Sequence, residues 1–137
     1  RDLIQERQLQ QHVFTHDFTT NILDELDDAT AYLLTSNGEG FCLTLLEALN
    51  CGVPSFSYDI RYGPSDMIQH GFNGFLIENG NVEQMAELLI AYLKDEDLKQ
   101  RMSNSAYEWT NLFNKDEIKR KWQMLLKAQQ SPEESPS

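Results

Sequence analysis

The chain has 137 residues, 11 of them Lys or Arg and 22 Asp or Glu, giving a formal charge of −11 with 40% hydrophobic residues. That length and apolar share suit one domain around one core. The charge disfavours a nucleic-acid reader or an anionic membrane surface, since both need a basic face. No apolar run approaches the ~18 residues of a membrane span.

The chain opens at Arg1, without Met or a signal segment and inside a helical pattern, so a piece of a longer protein is expected. Asp2 to Gln11 has no breaker and reads as a helix end. Val13 to Thr15 reads as a short strand. Asn21 is placed to cap a short helix in which Ile22, Leu23 and Leu26 share one face. Ala31 to Thr35 is a continuous apolar run, the pattern of a strand buried on both faces of a parallel sheet. After SNGEG, a helix from Leu43 to Asn50 stops at Gly52, and a strand runs from Pro54 to Tyr58. Pro64 opens a short helix ending at His70, and GFNG turns into a fourth strand, Phe75 to Ile77.

From Val82 the pattern is helical in three blocks. Val82, Met85, Leu88, Leu89, Tyr92 and Leu93 mark the first. Leu98, Met102, Tyr107 and Trp109 mark the second; Ile118, Trp122, Leu125 and Leu126 mark the third. Trp109, Phe113 and Trp122 are expected to pack these helices. Residues 1–130 are expected to form the domain, and the tail SPEESPS, 131–137, to be disordered. Strand–helix alternation with short connections predicts an α/β fold: a partial Rossmann-like parallel sheet of about four strands, flanking helices and a helical C-terminal extension.

Cys42 and Cys51 fall on one predicted helix, roughly 13 Å apart at 1.5 Å per residue, too far for a disulfide. His12, His16 and His70 show no paired metal spacing, so no metal site is expected.

The chemistry is concentrated in Ser36 to Glu47, between the end of a strand and a helix, the edge where open α/β sheets bind ligands. Gly38 and Gly40 allow close approach, and the free N–H groups of residues 41–44 suit a phosphate. Glu39 is an acceptor-only group suited to sugar hydroxyls. Glu47 follows eight residues later, roughly 10–12 Å along a helix axis. That is about the spacing of the two sugars in a nucleoside diphosphate sugar. The residues alone leave a second reading open: a Gly-rich turn whose glutamate complements the helix dipole, with Glu47 on a solvated face.

The E-x7-E pattern of Glu39 and Glu47, set within TSNGEGFCLTLLEALNCGVPSFSYD and followed by GFNGFLIENGNVEQMAELLIAYL, resembles the nucleotide-sugar motif of retaining glycosyltransferases of family 4, which have the GT-B fold. The resemblance extends to about Leu93. Around DIRYGPSDMI it is similar to the bacterial branch of poly(glycerol-phosphate) and teichoic-acid α-glycosyltransferases and their protein-glycosylating relatives.

The resemblance implies the second half of a donor-binding C-terminal domain. Glu39 would be the catalytic-site carboxylate facing the donor sugar, with the amides of Gly40, Phe41 and Cys42 beside it. Leu43 and Thr44 would face the diphosphate and Glu47 the ribose. The turn at His16 and Asp17 would lie near the base, and Arg61 is a candidate acceptor or interdomain contact. It implies a UDP-sugar donor, no metal or other cofactor, and transfer of a hexose or N-acetylhexosamine to a cell-wall polymer, glycan or protein by a front-face route. The acceptor domain and an Arg/Lys diphosphate clamp would lie upstream of Arg1, leaving the fragment inactive alone. A cytoplasmic enzyme is implied, with any contact at the inner membrane face made by the absent part. The alternative from another class is a non-catalytic partner subunit that keeps the fold and recognises a glycan or protein.

Overall fold

A computed structural model describes residues 2–17, 20–35, 43–60, 63–112, 120, 123–124 and 126–127. In chain order these form α1 (Asp2–Glu6), α2 (Ile22–Asp27), β1 (Tyr32–Leu34), α3 (Leu43–Asn50), β2 (Ser55–Tyr58), α4 (Pro64–Met67), β3 (Gly74–Ile77), α5 (Val82–Leu93) and α6 (Glu96–Leu112). The three strands make one parallel sheet in the order β1-β2-β3, with Tyr32 opposite Ser55 and Ser55 opposite Gly74.

Side-chain alternation along β2 divides the core into two layers. Phe56 and Tyr58 point to one face, where they join Ile77, Met85, Tyr92 and Met102. The opposite face presents Ser55 and Ser57, and there Leu45, Leu49, Met67, Ile68, Ala106 and Trp109 form the second layer. Both serines are fully buried and satisfied locally. Ser55 donates to the Val53 carbonyl at 3.1 Å and Ser57 to the Tyr58 carbonyl at 2.9 Å. Helix α6 serves both layers, with Met102 in the first and Ala106 and Trp109 in the second.

The sequence pattern is corrected at two strands. The expected four-strand sheet has three strands among the described residues, because Val13 to Thr15 joins no ladder. Phe14 there is 69% exposed, so the run has neither the buried face nor the paired edge that sustains a strand. Ala31 to Thr35 is not buried on both faces either. It supplies β1, the edge strand, and Leu33 is 40% exposed. Full burial belongs to β2, the middle strand.

Two smaller expectations also shift. Asn21 occupies the N-cap position of α2, but its side chain makes no capping bond; its carbonyl accepts from Glu25 N–H at 3.4 Å. Tyr107 is exposed instead of marking the core face of α6, because its ring lies over Gly52 at the surface. The helix expected around Ile118 to Leu126 and the tail at 131–137 lie largely or wholly outside the described residues.

The turn GFNG is scaffold. It enters β3 at the amino edge of the sheet, opposite the carboxyl edge where α3 begins. Asn73 is fully buried; its Oδ1 accepts from Gln69 N–H at 2.8 Å and its Nδ2 donates to the Met67 carbonyl at 2.9 Å. His70 accepts from Leu76 N–H at 3.1 Å through Nδ1 and packs edge-on to Phe75. Gly74 passes so close to β2 that any Cβ would collide with the Ser55 carbonyl.

Candidate nucleotide-sugar site

Helix α3 carries the site, and its orientation is fixed on two sides. Leu45 and Leu49, four residues apart on one face, pack against Met67, Ala106 and Trp109. Ala48, on an adjacent face, meets Leu26 of α2 and Val53. At the far end Gly52 adopts φ +71°, accepts a 2.7 Å bond from the Ser103 hydroxyl and leaves room for the Tyr107 ring that a Cβ would occupy. These contacts hold the N-terminus of α3 at the carboxyl edge of the sheet.

That edge offers two kinds of group. The first amides of α3, Leu43 and Thr44 among them, have no intrahelical carbonyl to bind and carry the positive end of the helix dipole. Leu43 is exposed and Thr44 half-buried. One turn on, half-buried Glu47 lines a cavity of about 350 Å³ together with Thr20, Asn21, Ile22, Leu23 and Asp24. Leu43 to Glu47 is roughly 6 Å along the axis, so a phosphate at the amides and a hydroxylated ring at Glu47 fit one extended ligand.

Of the predicted site residues, Leu43, Thr44 and Glu47 lie on α3, and among them Glu47 lines the cavity while Leu43 and Thr44 are not among its described lining residues. His16 and Asp17 are exposed and are not among the described residues lining the cavity. Glu39, Gly40, Phe41, Cys42 and Arg61 lie outside the described residues. The wall contributed by the first turn of α2, Asn21 to Asp24, is new. Sequence spacing gave no sign of it, because α2 and α3 are separated by β1 and meet only through tertiary packing.

Behind Glu47, one helical turn along α3, sits Cys51. Burial, the carboxylates of Asp27 and Glu47, and a hydrogen bond to the Asp27 side chain together raise its thiol pKa. It is a free thiol, packed beside Leu26, Ala48 and Val53.

A family model described as Glycosyl transferases group 1 matches residues 1–109. The chain belongs to this family. A poly(glycerol-phosphate) α-glucosyltransferase of Bacillus subtilis is 32% identical over 123 residues, 90% of this chain and 18% of the relative. A poly(ribitol-phosphate) α-N-acetylglucosaminyltransferase of Staphylococcus aureus is 32% identical over 126 residues, 82% of this chain and 26% of the relative. Among solved structures, S. aureus TarM in complex with UDP, α-GlcNAc-glycerol and fondaparinux superimposes with a TM-score of 0.79 at 32% identity, covering 90% of this chain and 25% of TarM. The pneumococcal O-GlcNAc transferase GtfA, in complex with UDP and GlcNAc, gives 0.72 at 26% identity, covering 95% of this chain and 27% of GtfA.

This glycosyltransferase chain therefore spans about a fifth to a quarter of the length of these relatives. The likeness places it in the teichoic-acid branch of GT-B glycosyltransferases, as the sequence motif implied. No helix among the described residues is long and apolar enough to cross a membrane.

Proposed function

We propose that the intact protein transfers a hexose or N-acetylhexosamine from a UDP-sugar to a cell-wall polymer, glycan or protein acceptor, with retention at the anomeric carbon. The observation that carries this reading is the cavity that Glu47 lines together with Thr20 to Asp24, one helical turn along α3 from its first residues. The UDP present in TarM and GtfA, both similar to this chain, supports UDP as the nucleotide.

In this reading Glu47 accepts hydrogen bonds from the ribose hydroxyls, and the cavity walled by residues 20–24 receives the nucleoside. The amides of Leu43 and Thr44 stabilise the diphosphate, whose charge grows as the glycosidic bond breaks. Glu39, with Gly40, Phe41 and Cys42, holds the transferred sugar. The leaving phosphate takes the acceptor proton, so the protein acts by positioning and electrostatics and supplies no nucleophile. His16 and Asp17 border the base from outside the cavity, and Arg61 meets the acceptor or the neighbouring domain. No metal is required by this scheme.

The experiment is turnover of UDP-glucose and UDP-N-acetylglucosamine by the intact protein and two variants. Glu47→Ala is expected to raise the donor KM by roughly 10- to 100-fold, the worth of one or two charge-assisted hydrogen bonds. Glu39→Ala is expected to abolish most turnover. Wild-type rates in both variants would overturn the proposal, and failure of the wild type to bind UDP would favour a non-catalytic partner subunit.

A further inference from the structure

We infer that Asp24 selects the base: its carboxylate, on the α2 side of the cavity that Glu47 lines, accepts the imide N3–H of uracil.

The inference rests on the proposed donor site and starts from what lines the cavity. Glu47 of α3 and Asp24 of α2 bring two carboxylates to one space of about 350 Å³, and Ile22 and Leu23 give it an apolar side. Leu23 is 54% exposed, so the core leaves its side chain uncovered beside that space. Ile22 and Leu26, four residues apart, turn another face of α2 onto Ala48 and Val53, which keeps Asp24 off the packed side. Side chains on a helix lean toward its N-terminus. Asp24 is the third residue of α2, and the entry to that helix, Thr20 and Asn21, lines the same cavity.

A carboxylate only accepts hydrogen bonds, so each one at the cavity is matched by a ligand donor or left to water. The uridine half of a UDP-sugar has three donors: two ribose hydroxyls and the N3–H of the base. Glu47 takes the hydroxyls in the proposed site, and N3–H is the donor left for Asp24. Leu23 then offers an apolar surface to the ring. Cytosine in the same pose turns the lone pair of its N3 toward the carboxylate, and that repulsion disfavours it. Asp24 has a plainer role as well, complementing the positive end of α2. Glu25 does the same from the same turn, yet it is not among the described residues lining the cavity. The pair therefore separates base recognition from helix charge.

The test is calorimetric titration of the intact protein, Asp24→Ala and Glu25→Ala with UDP, N3-methyl-UDP and 2′,3′-dideoxy-UDP. The wild type is expected to bind UDP about tenfold or more tightly than N3-methyl-UDP, the scale of one charge-assisted hydrogen bond. Asp24→Ala is expected to bind these two within twofold of each other, below the wild-type affinity for UDP. It is expected to keep the preference for UDP over the dideoxy nucleotide, which a distorted cavity would lose. Glu25→Ala is expected to keep both wild-type preferences. Three results would each overturn the inference: a wild type indifferent to the N3-methyl group, an Asp24→Ala that still rejects it or loses both preferences, or a Glu25→Ala that loses the N3 preference equally. Each would leave the donor site standing, because the wild type binds UDP in all of them. A wild type that does not bind UDP would overturn both.

Discussion

Asn73 shows how much of a glycosyltransferase motif is architecture. Its amide uses both ends, accepting from Gln69 and donating to Met67, and no water reaches it. Asn73→Ala leaves a buried N–H and a buried carbonyl without partners, so a loss of about 1–3 kcal/mol is expected in urea unfolding. Tyr92 gives a second residue-level test. Its hydroxyl donates to the Thr30 carbonyl at 2.7 Å, just ahead of β1, and burial pushes its pKa up to about 12. Below pH 10 the phenol is protonated whether the chain is folded or unfolded, and the Tyr92 contribution is complete. Between pH 10 and 12 the unfolded chain gives up its proton first, so stability falls by up to about 2–3 kcal/mol across that window. Tyr92→Phe is expected to flatten this part of the stability–pH curve and to cost about 1 kcal/mol at neutral pH, measured by chemical denaturation. A parallel fall in both proteins would assign the alkaline loss to other groups.

At the level of elements, helices were more legible than strands. The stretches read as α3, α5 and α6 follow a 3.6-residue pattern over several turns, and their buried residues Leu45, Leu49, Met85, Tyr92, Met102 and Trp109 are core in the structure. Short apolar runs carry no such periodicity. Val13 to Thr15 and Ala31 to Thr35 look alike in sequence, yet the first joins no strand and the second is an edge; only their neighbours in space decide. The site divides the same way. The helix that carries Glu47 was readable from a strand–turn–helix pattern, whereas the α2 wall of the cavity exists only after folding. Two substitutions test the elements. Gly74→Ala forces a Cβ onto the Ser55 carbonyl and is expected to cost at least about 1–3 kcal/mol by opening the β2–β3 ladder. Trp109→Ala empties the contact between α6 and α3, with an expected loss of about 3–5 kcal/mol by thermal or chemical unfolding. Near wild-type stability in either would mean that these elements are not packed as described.

For the molecule as a whole, the charge of −11 and the anionic ligand pull in opposite directions. A diphosphate would be repelled by an evenly acidic surface, but the amides at the N-terminus of α3 give one edge a local positive field. The acidic residues nearby, Glu47 and Asp24, line the part of the groove assigned to a hydroxylated nucleoside, where acceptors are needed. This division of labour along one helix is the central claim, and it makes the ribose hydroxyls the decisive groups. The most direct measurement is calorimetric titration of the intact protein and its Glu47→Ala variant with UDP and with 2′,3′-dideoxy-UDP. The wild type is expected to prefer UDP by roughly 10- to 100-fold, and Glu47→Ala to bind both nucleotides equally at the weaker affinity. A wild type that does not distinguish them, or a variant that still does, would contradict the assignment of Glu47 to the ribose.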